Sequence, residues 1–225
     1  MRLSRSSSKF SLIIDGYNRG SMTAFLLPPP IHKFLVVGPL HDKIEKLSII
    51  EDMMPNYDWI IFNGGLCEPT SDLENIKNRI EKMDKLISSK KVVYLSGRSD
   101  FLLFRELQGE YPAIGKWIMS RPNVAIAKFP TRYVLIMDGG IPPNIIGSRQ
   151  LLNNLEVSFI YYIDNKPWHL SYNGTLGYVI SNNPLTNKAP QYYNYSMQLG
   201  NLSGNESQIY AQEVDEIGLK RNILI

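Results

Sequence analysis

Three apolar runs, each ending in small or polar residues, decide the fold of this chain: KFLVVG at 33–38, DWIIFN at 58–63 and KVVYLSG at 91–97. Apolar runs of this length that end in such residues are typical of strands buried on both faces of a parallel sheet. Segments with helical spacing separate the runs, one at 42–54 and one that begins at Ser71. Strand, helix, strand, helix, strand in this order predicts a βαβαβ unit with a mainly parallel sheet and helices on its faces.

The segment after Ser71 carries the clearest helix signal. Ser71 and Glu74 have the spacing of a capping box, in which each side chain bonds the other's backbone amide. Apolar residues then recur at helical spacing: Leu73, Ile76, Ile80, Met83 and Leu86 or Ile87. Further along, the sequence predicts two short helices, at 101–109 and 112–120. Two strands within 124–136, broken near Pro130, are expected after them.

The rest of the chain follows another pattern. After an expected helix at 145–155, Tyr, Asn and β-branched residues alternate, which predicts antiparallel strands of a second sheet. These strands are expected at 157–164, 176–182, 193–200 and 208–216.

The start of the chain is expected to stand apart from this body. A hairpin is expected within 10–27, with Asp15-Gly16 as one turn, before the extended Pro28-Pro29-Pro30. We therefore predict an α/β fold, a two-sheet αββα sandwich with a mainly parallel N-terminal half and an antiparallel C-terminal half. The predicted segments are a disordered basic tail at 1–9, an N-terminal extension at 10–32 and one domain at 33–225.

The balance of basic and acidic residues argues against a large nucleic-acid-binding face. The chain has 24 basic and 21 acidic residues, a formal charge of +3. Arg2, Arg5 and Lys9 lie in the first ten residues, and removing these three leaves 21 basic residues against 21 acidic ones. A nucleic-acid-binding domain is normally basic over its body, so nucleic acid is expected only at the tail 1–9.

Cys67 is the only cysteine, which excludes an intrachain disulfide and any cysteine-rich zinc or iron–sulfur site. We interpret it as a packed, inert thiol. The sequence has no run of about 18 apolar residues and no apolar stretch of signal-peptide length after the N-terminal arginines. We therefore expect no membrane association and a cytoplasmic location.

Five short motifs stand where strands are predicted to end, which is where an open parallel sheet places its active site. They are GPLH (38–41), NGGLCE (63–68), SGRSD (96–100), DGG (138–140) and SNNP (181–184). Their order and spacing resemble the calcineurin-like metallophosphoesterases, and most of all the branch of Ser/Thr phosphatases and diadenosine tetraphosphatases. The resemblance covers about 33–220 and includes YLSG before the third motif and VLIMDGGIPP around the fourth.

The resemblance implies a two-metal site whose ligands this chain mostly lacks. Pro39 stands where the family has a ligand Asp, and Gly65 where it has the metal-bridging Asp. Arg98 replaces the ligand Asn, and Ser99 the His that assists the leaving group. Only His41 is an intact ligand.

The other motif positions are altered or ambiguous. Asp138 and Asn182 stand where the family has ligand histidines. Glu68 falls on the second Asp of the second motif, and Asp100 matches the third motif. Two carboxylates lost and one guanidinium gained shift the local formal charge by 2 + 1 = +3, which disfavours divalent cations.

We therefore predict a non-catalytic protein of this fold, with no metal or cofactor. It would bind a protein partner or a phosphate-containing ligand through Arg98 and His41. An alternative is a phosphoesterase with one divalent cation (Mn, Fe, Zn or Mg), assisted by Asn182. Its ligands would be His41, Glu68, Asp138, and Asp42 or Asp100. A third possibility is a structural or assembly subunit of a larger complex.

The same residues also have simpler interpretations. A lone histidine at a strand end, such as His41, is more often a hydrogen-bonded structural residue than a ligand, and Glu68 before Pro69 is typical of a solvated loop acid. Asp138 before two glycines is typical of a turn, and Asp42 of a first helical turn. Ser99 lies in no Gly-x-Ser-x-Gly elbow, so it is not expected to act as a nucleophile.

Overall fold

The computed structural model describes most of the N-terminal half of the chain and separate parts of the rest. The described ranges are 10–14, 17–22, 24–41, 43–68, 71–89, 91–107, 109–130, 133–138, 160–163, 166–168, 176–181, 198–201 and 209–225.

The elements are numbered in chain order. The strands are β1 (Phe10–Ile14), β2 (Tyr17–Met22), β3 (Ala24–Leu26), β4 (Lys33–Val37), β5 (Trp59–Asn63), β6 (Val92–Leu95), β7 (Val124–Lys128), β8 (Tyr133–Met137), β9 (Ile160–Ile163), β10 (Lys166–Trp168), β11 (Leu176–Ser181), β12 (Gln198–Asn201), β13 (Tyr210–Asp215) and β14 (Leu219–Leu224). The helices are α1 (Leu47–Met53), α2 (Leu73–Ser88), α3 (Arg98–Leu107) and α4 (Pro112–Met119). One-turn 3-10 helices flank α1 at Ile44–Lys46 and Met54–Asn56.

The first sheet has the order β14-β13-β4-β5-β6. Strands β4, β5 and β6 pair in parallel, as the three apolar runs predict. Strand β13 pairs antiparallel with β4 and β14. The carboxyl ends of the three parallel strands therefore meet at one edge of the sheet.

The second sheet has the order β12-β11-β8-β7-β3 and is mixed. Strand β8 pairs antiparallel with β7, but β11 pairs in parallel with both β8 and β12. The expectation of an antiparallel C-terminal half is wrong for this part of the sheet. The alternating pattern indicates a strand but not its direction, and the long connection between β8 and β11 permits a parallel crossover.

The core lies in two layers on either side of the first sheet. Alternate residues of β4 point to opposite faces: Leu35 and Val37 pack in the layer beneath the helices, and Phe34 and Val36 in the layer between the sheets. The helical side is filled by apolar residues of all four helices, including Ile50, Ile76, Met83, Leu103 and Ile118. This order of helix, sheet and sheet confirms the predicted α/β class. The helix expected at 145–155, which would supply an outer layer on the second sheet, lies outside the described residues.

Helix boundaries differ from the sequence expectation at two places. The N-cap of α2 is Asp72, whose side chain accepts a hydrogen bond from the Asn75 amide at 2.9 Å, so Ser71 is not the cap. Helix α3 begins at Arg98, which is earlier than the expected residue 101. Both differences arise because several polar residues lie together before each helix, and any of them satisfies the start signal.

The N-terminal segment forms the predicted hairpin, with β1 and β2 antiparallel. Strand β3 then pairs in parallel with β7, so the second sheet includes part of the segment predicted as an extension. The boundary at residue 33 stays a prediction, and the tail 1–9 lies outside the described residues.

Candidate functional site

The candidate site lies beyond the carboxyl ends of β4, β5, β6 and β8. Pro39 and His41 follow β4, Gly64 and Gly65 follow β5, Gly97 follows β6, and Asp138 follows β8. The structure brings these positions together, as the strand-end motifs predict. The glycines among them lie so close to neighbouring residues that each lacks room for a side chain.

Gly65 lies against the loop that follows β4. A Cβ atom on Gly65 would lie 2.7 Å from Pro39 Cβ and 3.5 Å from His41 Cε1. The first of these distances is too short for two carbon atoms, and the φ angle of Gly65 is +69°, where side chains are disfavoured. The two loops are therefore packed too closely at this point to place a side chain at position 65.

Gly97, at the end of β6, packs closely against Asp138, at the end of β8. A Cβ atom on Gly97 would lie 2.8 Å from Asp138 Oδ2, and one on Gly64 would lie 2.9 Å from Gly97 Cα. Asp138 is half-buried, so its carboxylate rests on the Gly97 backbone at the partly open surface of the site. The position thus carries an acid packed against a loop instead of the histidine that the resemblance implies.

Asp100 lies beneath these loops and is 1% exposed. Its Oδ2 atom accepts hydrogen bonds from the Gly97 amide at 2.8 Å and the Gly65 amide at 3.1 Å. Its Oδ1 atom accepts from the Tyr94 hydroxyl at 2.6 Å and the Leu66 amide at 3.2 Å. Asp100 is therefore a buried acceptor for two loops, and both of its oxygens are occupied by donors from the protein.

The ionisation of this cluster follows from burial and hydrogen bonding. Burial raises the pKa of Asp100, while its four donors act in the opposite direction. Burial, and then the charge of Asp100, raises the pKa of Tyr94 well above its ordinary value. The Tyr94 hydroxyl accepts from the Leu66 amide at 2.9 Å, so its own proton is directed to Asp100. Since all four neighbours donate to Asp100, we assign it the ionised state.

His41 and Glu68 form the more open part of the site. His41 Nδ1 lies 2.6 Å from Glu68 Oε1, and their side chains are 33% and 41% exposed. The contact is close but not aligned as a hydrogen bond. The His41 backbone has a φ of +47°, and its amide donates to the Gly65 carbonyl at 2.6 Å, which fixes the loop.

The described residues do not fit a two-metal centre. In the centre that the resemblance implies, a carboxylate at position 65 bridges the two metals, and Gly65 has neither a side chain nor room for one. The carboxylate of Asp100 is occupied by four donors from the protein. Within the described ranges, no three His, Cys, Asp or Glu side chains come together in a group that could hold a metal ion.

Several predicted site residues are only partly described. Asp42, Asn182 and the Arg98 side chain lie outside the described part of the structure. The backbone of Arg98 begins α3, with Ser99 half-buried beside it. Cys67 is buried, which supports its interpretation as a packed thiol. Among the described helices, none is long and apolar enough to cross a membrane.

The sequence did not point to the role of Tyr94. It is the largest fully buried side chain of the described core. Its spacing of six residues from Asp100, across a strand end and the first turn of a helix, is the only local signal. The partners of Asp100 in the loop after β5 are backbone amides. Every residue except proline has such an amide, so the residue types in the sequence do not reveal these partners.

Comparisons with known proteins support the fold. No protein-family model matches the chain. No curated protein matches it either. Among solved structures, a putative diadenosine tetraphosphatase is similar with a TM-score of 0.50 and 15% identity, over 90% of this chain and 96% of that one.

A protein serine/threonine phosphatase from Saccharomyces cerevisiae is similar with a TM-score of 0.51 and 13% identity, over 91% of this chain and 82% of that one. At these identities the likeness concerns the fold. The chain has the fold of the calcineurin-like metallophosphoesterases, as the resemblance of its motifs predicted.

Proposed function

We propose that this chain is a non-catalytic protein of the metallophosphoesterase fold that binds a protein partner or a phosphate-containing ligand at its strand-end face. The observation that carries the proposal is the contact of Gly65 with Pro39, where a Cβ atom would lie 2.7 Å from Pro39 Cβ. These two positions correspond to the two lost carboxylates. Their contact leaves no room for a side chain at position 65, which supports the absence of a bridged metal pair.

The charge of the face supports an anionic ligand. Pro39 and Gly65 in place of two carboxylates and Arg98 in place of an asparagine raise the local formal charge by three, and Asp138 in place of a histidine lowers it by one, a change of 2 + 1 − 1 = +2. A guanidinium presents a planar set of donors that matches phosphate or carboxylate oxygens. Arg98 begins α3 directly after Gly97, and His41 lies on the adjoining loop. These two residues are our candidates for ligand contact.

Metal analysis together with an activity screen tests the absence of catalysis. The purified chain would be analysed for bound metal and assayed with phosphomonoesters and phosphodiesters in Mn²⁺. We expect less metal than one ion per chain and no turnover, because the bridging ligand is absent. Tightly bound metal at one or two ions per chain, together with turnover, would contradict the proposal.

Ligand binding is tested with inorganic pyrophosphate as the probe, by calorimetry. Replacing Arg98 by alanine should weaken binding about tenfold or more, since a charge-assisted pair contributes about 1.5–3 kcal/mol. Arg105→Ala is the matched control, because Arg105 lies on the same helix and is exposed. Equal affinity of the wild-type chain and both variants would exclude Arg98 as the phosphate contact.

A phosphoesterase with one metal ion is the second candidate, because His41 Nδ1 and Glu68 Oε1 lie 2.6 Å apart on the open side of the face. Asp138 is the other candidate ligand with a described side chain. Asp100 is not available, since four protein donors occupy it. If any activity is detected, His41→Ala and Asp138→Ala should abolish it, and unchanged activity in both variants excludes this candidate.

A further inference from the structure

The amides of Gly65, Leu66 and Gly97 form a small anion-binding nest at the strand ends. All three donate to one carboxylate, that of Asp100, at 2.8–3.2 Å. The Tyr94 hydroxyl adds a fourth donor at 2.6 Å. Converging backbone amides of this kind bind anions such as phosphate or carboxylate in many proteins. Here the anion comes from the chain itself.

The nest connects the two segments that carry the candidate ligand contacts. Gly65 and Leu66 belong to the loop after β5, and the Gly65 carbonyl accepts from the His41 amide at 2.6 Å. Gly97 directly precedes α3, which begins with Arg98, and Asp100 lies in the first turn of that helix. The carboxylate therefore fixes the His41 side of the face relative to the Arg98 side.

Because Asp100 is buried and accepts from four donors, the negative charge of its carboxylate is essential to the contact between the loop after β5 and the start of α3. Asp100 is 1% exposed, so water does not replace its hydrogen bonds in the folded protein. An asparagine at this position has the same shape, but its NH₂ group would face at least one N–H or O–H donor. A buried donor left without an acceptor destabilises the folded state more than the loss of an exposed contact does.

We propose that Asp100 is a positioning residue whose ionised carboxylate acts as a built-in anion in the strand-end nest and holds the loop after β5 against the start of α3. This role does not rest on the proposed function, since it holds whether the face above it binds a ligand or catalyses a reaction. It predicts that the nest, once emptied, accepts a small anion from solution.

Thermal unfolding of Asp100→Asn and Asp100→Ala tests the charge. Both variants should unfold about 5–10 °C below the wild type, because three amides and a hydroxyl lose their acceptor. Asp52→Asn is the matched control, an exposed aspartate on α1, and should leave the unfolding temperature unchanged. An unfolding temperature of Asp100→Asn equal to that of the wild type would overturn the proposal.

Rescue with formate distinguishes an anion nest from ordinary packing. Formate should raise the unfolding temperature of Asp100→Ala by about 3–5 °C at ten times its dissociation constant, and leave the wild type unchanged. Formamide has a similar shape but no charge, and should not rescue. Absence of a formate effect in a folded Asp100→Ala variant, or equal rescue by formamide, would overturn the proposal.

Hydrogen exchange in the wild type keeps the proposal testable if Asp100→Ala does not fold. The amide protons of Gly65, Leu66 and Gly97 should exchange as slowly as those in the centre of β5, because they bond a buried acceptor. Exchange at the rate of open loop amides would overturn the proposal. None of these three tests uses pyrophosphate binding, so failure here is distinct from failure of the proposed function.

Discussion

At Gly65 the neighbouring Pro39 occupies space that a side chain would need. We expect Gly65→Ala to lower the free energy of unfolding by about 2–5 kcal/mol, the sum of a left-handed backbone cost and overpacking. The causes are the φ angle of +69° and the 2.7 Å approach to Pro39 Cβ. Denaturant unfolding of the variant and the wild type measures the difference.

Two further variants separate the causes. Gly109→Ala is the control, since a Cβ atom there would meet no atom within 4 Å, and its stability should match that of the wild type. Adding Pro39→Gly to Gly65→Ala should recover the overpacking part but not the backbone part, because the Pro39 Cβ atom is removed. If Gly65→Ala is as stable as Gly109→Ala, the loops are not packed as closely at Gly65 as the structure indicates.

The residues of the candidate site could be predicted in part. The rule that active sites lie at strand ends correctly brings Pro39, Gly65, Gly97 and Asp138 together. It does not show that the loops touch, because that depends on φ angles and on distances of a few tenths of an ångström. It also treats Asp100 as a candidate ligand, since the backbone donors that occupy its oxygens leave no trace in residue types.

At the scale of single elements, helix α2 shows which polar residue caps its start. Asp72 accepts from the Asn75 amide at 2.9 Å and also from the Asn75 side chain. We expect Asp72→Ala to lower the unfolding temperature by a few degrees, because the first turn loses an acceptor for its amides. Thermal unfolding monitored by circular dichroism measures this.

Ser71→Ala provides the comparison for that prediction. Ser71 is the cap that the sequence pattern favours, but in the structure its hydroxyl accepts from Arg79 at 3.3 Å instead. Its replacement should therefore cost less than that of Asp72. If Ser71→Ala lost more stability than Asp72→Ala, Ser71 would be the N-cap residue, and the structure would be contradicted.

The elements themselves were more predictable than their pairing. Buried apolar runs identify β4, β5 and β6 because both faces of these strands are covered. The predicted direction of β11 was wrong, because side chains alternate between the two faces in parallel and antiparallel strands alike. Direction depends on the path of the connection, and the sequence between β8 and β11 does not reveal that path.

At the scale of the whole molecule, the strand-end loops of the fold lie in close contact, since a Cβ atom on Gly65 would lie 2.7 Å from Pro39 Cβ. Introducing the side chains of the metallophosphoesterase motifs should therefore not create a metal site. The set Pro39→Asp, Gly65→Asp, Arg98→Asn, Ser99→His, Asp138→His and Asn182→His places a Cβ atom at position 65 against the Cβ atom of position 39. We expect lower stability and no stoichiometric Mn²⁺, measured by thermal unfolding and metal analysis.

The same set without Gly65→Asp is the control for that experiment. It should be more stable than the full set, because the contact at position 65 is left as it is. Stoichiometric Mn²⁺ in the full set, with the stability of the wild type, would show that the loops separate easily. That result would contradict the closed arrangement.

Glu213 on β13 contacts residues from three other parts of the chain. Its Oε2 atom accepts from the Tyr57 hydroxyl at 2.8 Å and lies 3.1 Å from Lys33 Nζ and 3.3 Å from an Arg221 nitrogen. Partial burial tends to raise the pKa of Glu213, but these contacts favour the ionised form more strongly, so its pKa lies below its usual range.

Because of this lowered pKa, the free energy of unfolding of the whole molecule should depend on pH in the acidic range. A carboxyl with a lowered pKa in the folded state stabilises the protein above its unfolded value, about 4.3, and loses that contribution as the pH falls through the folded value. Glu213→Gln should lower the free energy of unfolding by about 1 kcal/mol at pH 7. The difference from the wild type should shrink below about pH 4, where the wild-type carboxyl takes up a proton. Denaturant unfolding of both chains between pH 7 and pH 2.5 measures this, and a difference that does not change with pH would contradict the ion-pair account.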